Sequence, residues 1–448
     1  MKRLAIAMPA FLLAVLALAA PNRTPIDVER LTVHEWGTFT SLQDERGISL
    51  PGINSDDEPV PGFVHRLPYS IKGGGPHPDV ILRLETPVLY FYPPALPGAS
   101  RPIDVRVRFP DGWLTEYYPD AVATAPELAP IGFLPPRMKP GTEGVLRWKG
   151  LSLGGEGHGP ETEDPVWTSP REVRAASVAT PKGESEKYLF YRGVGRIEAP
   201  LQVARAGDRL VIRRRPDADP PADEPGIPGP LWLLEIRPDG GSAFRTVVPP
   251  SIDPGPRGIL AEIPASFPAG AFTSNGVNRL RGEMHAALAA AGLFEDEAAA
   301  MLKTWERSYF RSPGARIFFL LPRAWTDRRL PLEISEPADV ERVMVGRIEL
   351  VTPHQRGRLS RLASGAASGP DWMDALPQAD RDRLYRVLGG HEPPEAIAGA
   401  VPADYRAYLD LGRFRDALVL DETRHFPGGA AARFARTYGI RFSPDPSR

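Results

Sequence analysis

His34, Glu35 and Trp36 stand side by side in the stretch TVHEWGTFTS, Thr32 to Ser41. A histidine beside a carboxylate can ligate a metal ion. A carboxylate in an apolar face needs a partner, or else takes up a proton with a raised pKa. Strand side chains alternate between faces. His34, Trp36, Thr38 and Thr40 then share one side, while Leu31, Val33, Glu35, Gly37 and Phe39 share the other, where Glu35 is the charged exception. Two readings of Glu35 follow. It is a general acid or a ligand, with His34, of a divalent metal; or it points to solvent or pairs with an arginine.

Glu85 in RLETPVLYFY, Glu116 in WLTEYYP and Glu235 in LWLLEIRP interrupt other apolar runs in the same way. Glycoside hydrolysis needs two carboxylates across a cleft, one as acid and one as nucleophile or base. Glu35 and Glu85 are the candidate pair. Trp36, Tyr90, Tyr92, Tyr117 and Tyr191 are the rings that, if exposed, would stack on a sugar, with core filling as the alternative. His158 lies near Glu156, Glu161, Glu163 and Asp164, but without the regular ligand spacing of a calcium loop. There is no H-E-x-x-H, no phosphate-cradling glycine loop and no G-x-S-x-G elbow, so the common nucleotide and serine-hydrolase chemistries are not written here.

The elements that must position these residues fall into a mixed α and β fold. From about Leu31 to Ile263, short β-like runs cut by proline and glycine predict an antiparallel β-sandwich-rich region, residues 27–270, of one or two sandwiches. Asp111-Gly112 and Asp239-Gly240-Gly241 predict hairpins, and the proline-rich stretch 215–230 reads as a long loop. An α/β segment, 274–353, follows. Leu280, Met284, Ala287, Leu288 and Ala291 recur at helical spacing, Gly292 stops that helix, and Met301, Leu302, Trp305 and Tyr309 mark a second, so a helical hairpin is expected. ARIFFLLP predicts a fully buried strand, and ERVMVGRIELV another with a bulge near Gly346. Thr352-Pro353-His354-Gln355 is a helix start by its capping pattern, and a helical tail, 354–440, completes the chain.

With 54 basic and 56 acidic residues, the chain lacks the charge for a nucleic-acid partner bound through its phosphates. Proline, at 52 of 448 residues, is more than twice its usual share. Lys2 and Arg3, the apolar run Leu4 to Ala20 and the small residues Ala17-Leu18-Ala19 predict a secretory signal over 1–19. No second run reaches spanning length, so no stable membrane span is expected after cleavage. The absence of cysteine excludes disulfides, thiolate metal sites and a lipoprotein anchor. A periplasmic or secreted location is the expectation.

VHEWGTFTS, LETPVLYFY, EKYLFYRGVG and ERVMVGRIELVTP, in that order, resemble a group of uncharacterised exported proteins of environmental bacteria such as planctomycetes. The resemblance covers about Val33 to Pro353. It implies export and supplies no catalytic residues. The sequence thus leads to an envelope or extracellular binding or scaffold protein, with a glycan or another envelope component as its partner. The alternative is a carboxylate- or metal-dependent hydrolase of extracellular polymers.

Overall fold

The opening run forms a strand, Leu31–Gln43, and in the computed structural model both of its faces are covered. The structure describes residues 30–442 except 55–59, 68–74, 95–101, 127, 129–136, 156, 216–225, 250–257, 363–371, 389–391, 393 and 398. The expected signal at 1–19, Glu156 and most of the proline-rich loop lie outside the described residues.

The architecture is mixed α and β, with a sheet of fifteen strands, a smaller sheet of three, and helices. Along the large sheet the order is Ser242–Val247, Leu231–Ile236, Gly314–Leu320, Ala338–Leu350, Leu31–Gln43, Leu82–Tyr92, Leu189–Gly195, Gly112–Tyr118, Glu143–Leu153, Ile103–Pro110 and Leu332–Ile334. Leu31–Gln43 thus lies mid-sheet, antiparallel to Leu82–Tyr92 and parallel to Ala338–Leu350. Strands from both sides of residue 274 share this sheet. Val33, Phe39, Leu84 and Met344 belong to the core on one face, and Trp36, Val88, Phe318 and Val345 to that on the other.

The second face is closed by the helical hairpin Gly276–Ala290 and Glu295–Thr304. Leu280, Met284, Leu288, Met301 and Leu302 are all buried there, as their spacing predicts. Helices Pro353–Leu359, Gln378–Leu388, Ala403–Leu409, Arg415–His425 and Ala430–Thr437 form a third core with Leu42, Trp113, Val194 and Val351. Thr352 caps the first of these, and Gln355 completes its capping box. Among the described residues no helix is long and apolar enough to cross a membrane.

Two local expectations change. The Asp239-Gly240-Gly241 turn does join paired strands, but Asp111-Gly112 makes no hairpin. The strands on either side of it both pair with Glu143–Leu153 and not with each other. The backbone N–H of Asp111 donates to Thr142 and its carbonyl accepts from Arg196, so the turn is tied to neighbouring segments. Nor is there a bulge at Gly346, whose strand runs in unbroken register with both partners. This glycine is needed for space: a Cβ there would lie 2.2 Å from Cζ of the buried Phe319 ring. Gly346→Ala should therefore destabilise the fold by about 1–3 kcal/mol, the usual cost of overpacking. Urea unfolding checks it; an unchanged midpoint would mean that the ring has room to move.

The irregularity sits one strand over. Thr86 and Pro87 together oppose Gly37, so the Leu82–Tyr92 strand bulges between Glu85 and Val88. Thr86 adopts φ +44°, rare for a β-branched residue. A Cβ on Gly37 would meet the Pro87 Cα at 2.9 Å. The WGT and ETP stretches interlock there, glycine against proline, and the bulge sets the direction of Glu85.

Candidate functional site

Glu35 and Glu85 lie on opposite faces of the sheet. Glu35 keeps company with Val33 and Phe39, whereas Glu85 pairs with Thr38 and is bonded by Thr40, on the Trp36 side. They share no cleft, so the expected catalytic pair is not assembled. His34 and Glu35 diverge for the same reason: successive strand residues point apart. They do not converge on one metal position, and among the described residues no group of three or more histidines and carboxylates could hold a metal ion.

Each residue has its own buried partners. Glu35 is wholly buried. Its Oε1 accepts from the Tyr191 hydroxyl, and its Oε2 accepts from Arg342 Nε at 2.5 Å. Arg342 in turn donates to Asp327 at 2.8 Å. Burial, then the charge of Glu35, pushes the Tyr191 phenol far above its usual range. On the other face His34 Nδ1 lies 2.8 Å from Glu297 Oε2, and the Tyr92 hydroxyl donates to Glu297 Oε1 at 2.7 Å. The His34 ring packs on Phe294 and Tyr92, so this trio fastens the sheet to the helical hairpin.

The aromatic residues divide. Trp36, Tyr90 and Tyr191 are wholly buried, and the Tyr90 hydroxyl donates to the Pro170 carbonyl at 2.9 Å. These three are core, not a surface on which a sugar could stack. Tyr92 is partly exposed but has its hydroxyl engaged. Tyr117, also partly exposed, stacks on His65 with ring centroids 5.5 Å apart, and His65 is held by Glu184.

The concentration of charge lies around Glu85. Thr40 donates to its Oε2 at 3.0 Å, and its Oε1 takes Arg413 and, at 3.3 Å, Arg83. Burial would raise this carboxyl; Arg413, Arg83, Arg347 and Arg192 outweigh that and hold it at about 2. Next to them, Glu349 Oε1 receives Arg316 Nε at 2.9 Å and Arg347 Nε at 2.7 Å. Glu349 is likewise lowered: burial opposes, and Arg316 and Arg347 prevail. Arg192 donates to Thr86 at 3.1 Å and lies 3.7 Å from Glu116. Glu235 differs, since burial raises its pKa against the weaker pull of Arg237.

The four stretches quoted from the sequence therefore converge. Thr40 comes from the opening strand, Glu85 and Thr86 from ETP, Arg192 from YRGVG and Arg347 from VGR. Arg413 reaches them from the helical tail. Sequence reasoning singled out carboxylates within apolar runs and passed over the arginines there: Arg83 in ILRLE, Arg192 in FYRGV, Arg316 in ARIFF and Arg347 in VGRIE. A long cation inside a buried strand needs a counter-charge as much as a carboxylate does, and that signal would have found the cluster. Compared with protein-family models and with curated proteins, the chain matches none.

Proposed function

We propose that this is an exported protein of the periplasm or extracellular space that binds a ligand and does not hydrolyse one. One observation carries this reading. All four carboxylate oxygens of Glu35 and Glu85 are engaged by arginine, tyrosine or threonine donors inside the protein. A general acid must hand its proton to the substrate, and a nucleophile must reach it; neither residue presents an oxygen to do so. Export and location rest on the predicted signal. A glycan partner rests on Tyr117, which is partly exposed with one face stacked on His65, since Trp36, Tyr90 and Tyr191 are buried and the Tyr92 hydroxyl is engaged.

The test is a turnover screen of the chain from Ala20 onward, purified from the periplasm. Chromogenic glycosides, esters and phosphate esters would be offered with and without added divalent metal. The expected result is no turnover above the buffer rate. Hydrolysis above the buffer rate that co-purifies with the chain would overturn the proposal in favour of a hydrolase.

A further inference from the structure

Where the helical tail meets the end of the opening strand lies a groove of about 470 Å3. That is room for a small ligand. Gly357 and Ser360 line it from the end of helix Pro353–Leu359, and Glu422, His425 and Phe426 from the end of helix Arg415–His425. Glu45 joins them from the turn after the opening strand. Glycine is a poor helix former, yet Gly357 lies inside the helix. A Cβ on it would meet only the Arg361 guanidinium, at 3.7 Å. A larger side chain there would stand in the groove.

Arg356 also lines the groove, but each of its guanidinium nitrogens already donates. Nε donates to Glu45 at 2.8 Å, Nη1 to Glu422 at 3.0 Å and Nη2 to Glu45 at 2.9 Å, with Asp421 2.7 Å from Nη2. Burial opposes the charge, but Glu45 and Asp421 hold this guanidinium above its ordinary range. An anion would therefore have to displace a carboxylate. The side-chain atoms left to an occupant accept. The Glu422 side chain keeps only 9% of its exposure, and with Oε2 bound to Arg356 its Oε1 has no partner among the described residues. His425 Nδ1 lies 3.0 Å from the Asp421 carbonyl, which can only accept, so Nε2 of the neutral ring is an acceptor. The Ser360 hydroxyl donates to the Gly357 carbonyl at 3.0 Å and keeps its lone pairs. Beside them Phe426 exposes 61% of its surface.

We infer that this groove binds a small organic ammonium, a primary amine carried on an apolar or a sugar frame. An ammonium has three donors and no acceptor, the complement of what the lining leaves free. Glu422 Oε1 gives it a charge-assisted hydrogen bond. The Phe426 ring covers the frame and favours a cation over its face. A neutral hydroxyl in the same place brings lone pairs that find no free side-chain donor. A bare metal ion is the poorer fit, since among the described residues no group of three or more histidines and carboxylates could hold one. The groove shares no residue with the Tyr117 surface, so this site and the glycan reading can fail separately. The rival account is a surface depression whose carboxylates only hold Arg356.

The experiment is calorimetric titration of the mature protein, from Ala20 onward, at neutral pH and constant ionic strength in phosphate, which brings no buffer amine. Benzylamine and glucosamine are the probes, with benzyl alcohol and glucose as their neutral counterparts. At least one amine should bind saturably, and about tenfold tighter than its counterpart. Benzylamine ahead would assign an apolar frame, and glucosamine a sugar frame. Gly357→Leu should keep or raise the melting temperature, because leucine suits a helix better than glycine, and should abolish binding by filling the groove. Phe426→Ala, at an exposed position, should weaken binding about threefold. If Gly357→Leu does not fold, Phe426→Ala decides, and unchanged affinity in it would then overturn the site. Equal affinity for amine and neutral counterpart, no heat from either amine at millimolar concentration, or undiminished binding in folded Gly357→Leu would also overturn it.

Discussion

Acidification from about pH 5 to about pH 2 is expected to remove about 3 kcal/mol of folding stability through Glu85 alone. Its carboxyl sits at about 2 in the folded protein against an ordinary 4.5, because Arg413, Arg83, Arg347 and Arg192 outweigh the effect of burial. A folded-state pKa below the unfolded one means that the unfolded chain takes up the proton first. The stabilisation is therefore complete above the ordinary value and is lost as the pH falls from there through the folded value. Burial opposes, but Arg316, Arg347 and Arg413 hold Glu349 below its ordinary value as well, and it adds to the loss. The contribution of Glu85 is isolated by difference. Urea unfolding free energies of wild type and Glu85→Gln, measured across this range, should converge by about 3 kcal/mol as the pH drops. At neutral pH the variant should be about 3–5 kcal/mol less stable, because Arg413 and Arg83 then keep their charge without its partner. If Glu85→Gln is too unstable to purify, Arg413→Gln provides the same readout, since weaker depression of Glu85 shrinks the acid-labile part. Parallel pH profiles for wild type and variant would show that the cluster does not hold Glu85 ionised.

What was legible in the sequence is local. The hairpin helices follow from the recurrence of Leu280, Met284 and Leu288. The start of Pro353–Leu359 follows from Thr352 and Gln355, whose side chains and backbone meet within one turn. Glu35 was recognisable as a charge on an apolar face, because face follows from alternation alone. Its partner was not: Arg342 is 307 residues away, and only the parallel pairing of Leu31–Gln43 with Ala338–Leu350 brings it alongside. Both sides of the opening strand proved to be core, so alternation marked two interiors instead of an inside and an outside. That is why Trp36, Tyr90 and Tyr191, candidates for a surface, pack within. The Asp111-Gly112 turn has hairpin chemistry, yet Thr142 and Arg196 draw its backbone elsewhere. Turn residues encode the reversal of the chain and leave the choice of neighbour to the whole sheet. The arginine cluster draws on five separate segments, from Arg83 to Arg413, and nothing in any one of them specifies the others.

Breaking the Glu35–Arg342 pair should have the other large effect. Each side chain is almost wholly buried, with 0% and 1% of its surface exposed, and the two residues are register partners on adjacent parallel strands. Glu35→Gln and Arg342→Met should each cost about 3–5 kcal/mol, because each leaves a buried charge without its partner. Glu35→Leu with Arg342→Met should cost less than either single change, and adding Tyr191→Phe, to remove the hydroxyl that donates to Glu35, should recover more. The strong coupling is what matters. A hydrophobic substitute satisfies burial, but it does not count residues along a strand. A slip of two positions between Leu31–Gln43 and Ala338–Leu350 would keep every side chain on its proper face while separating Glu35 from Arg342. The ion pair would thus help to fix the register of these two strands. The double variant should then unfold with a lower denaturant slope, or exchange its central-strand amides faster, even where its midpoint is near that of wild type. Additive single-variant costs with unchanged exchange would remove the register role, and a wild-type midpoint for Glu35→Gln would show that Glu35 is not a structural charge.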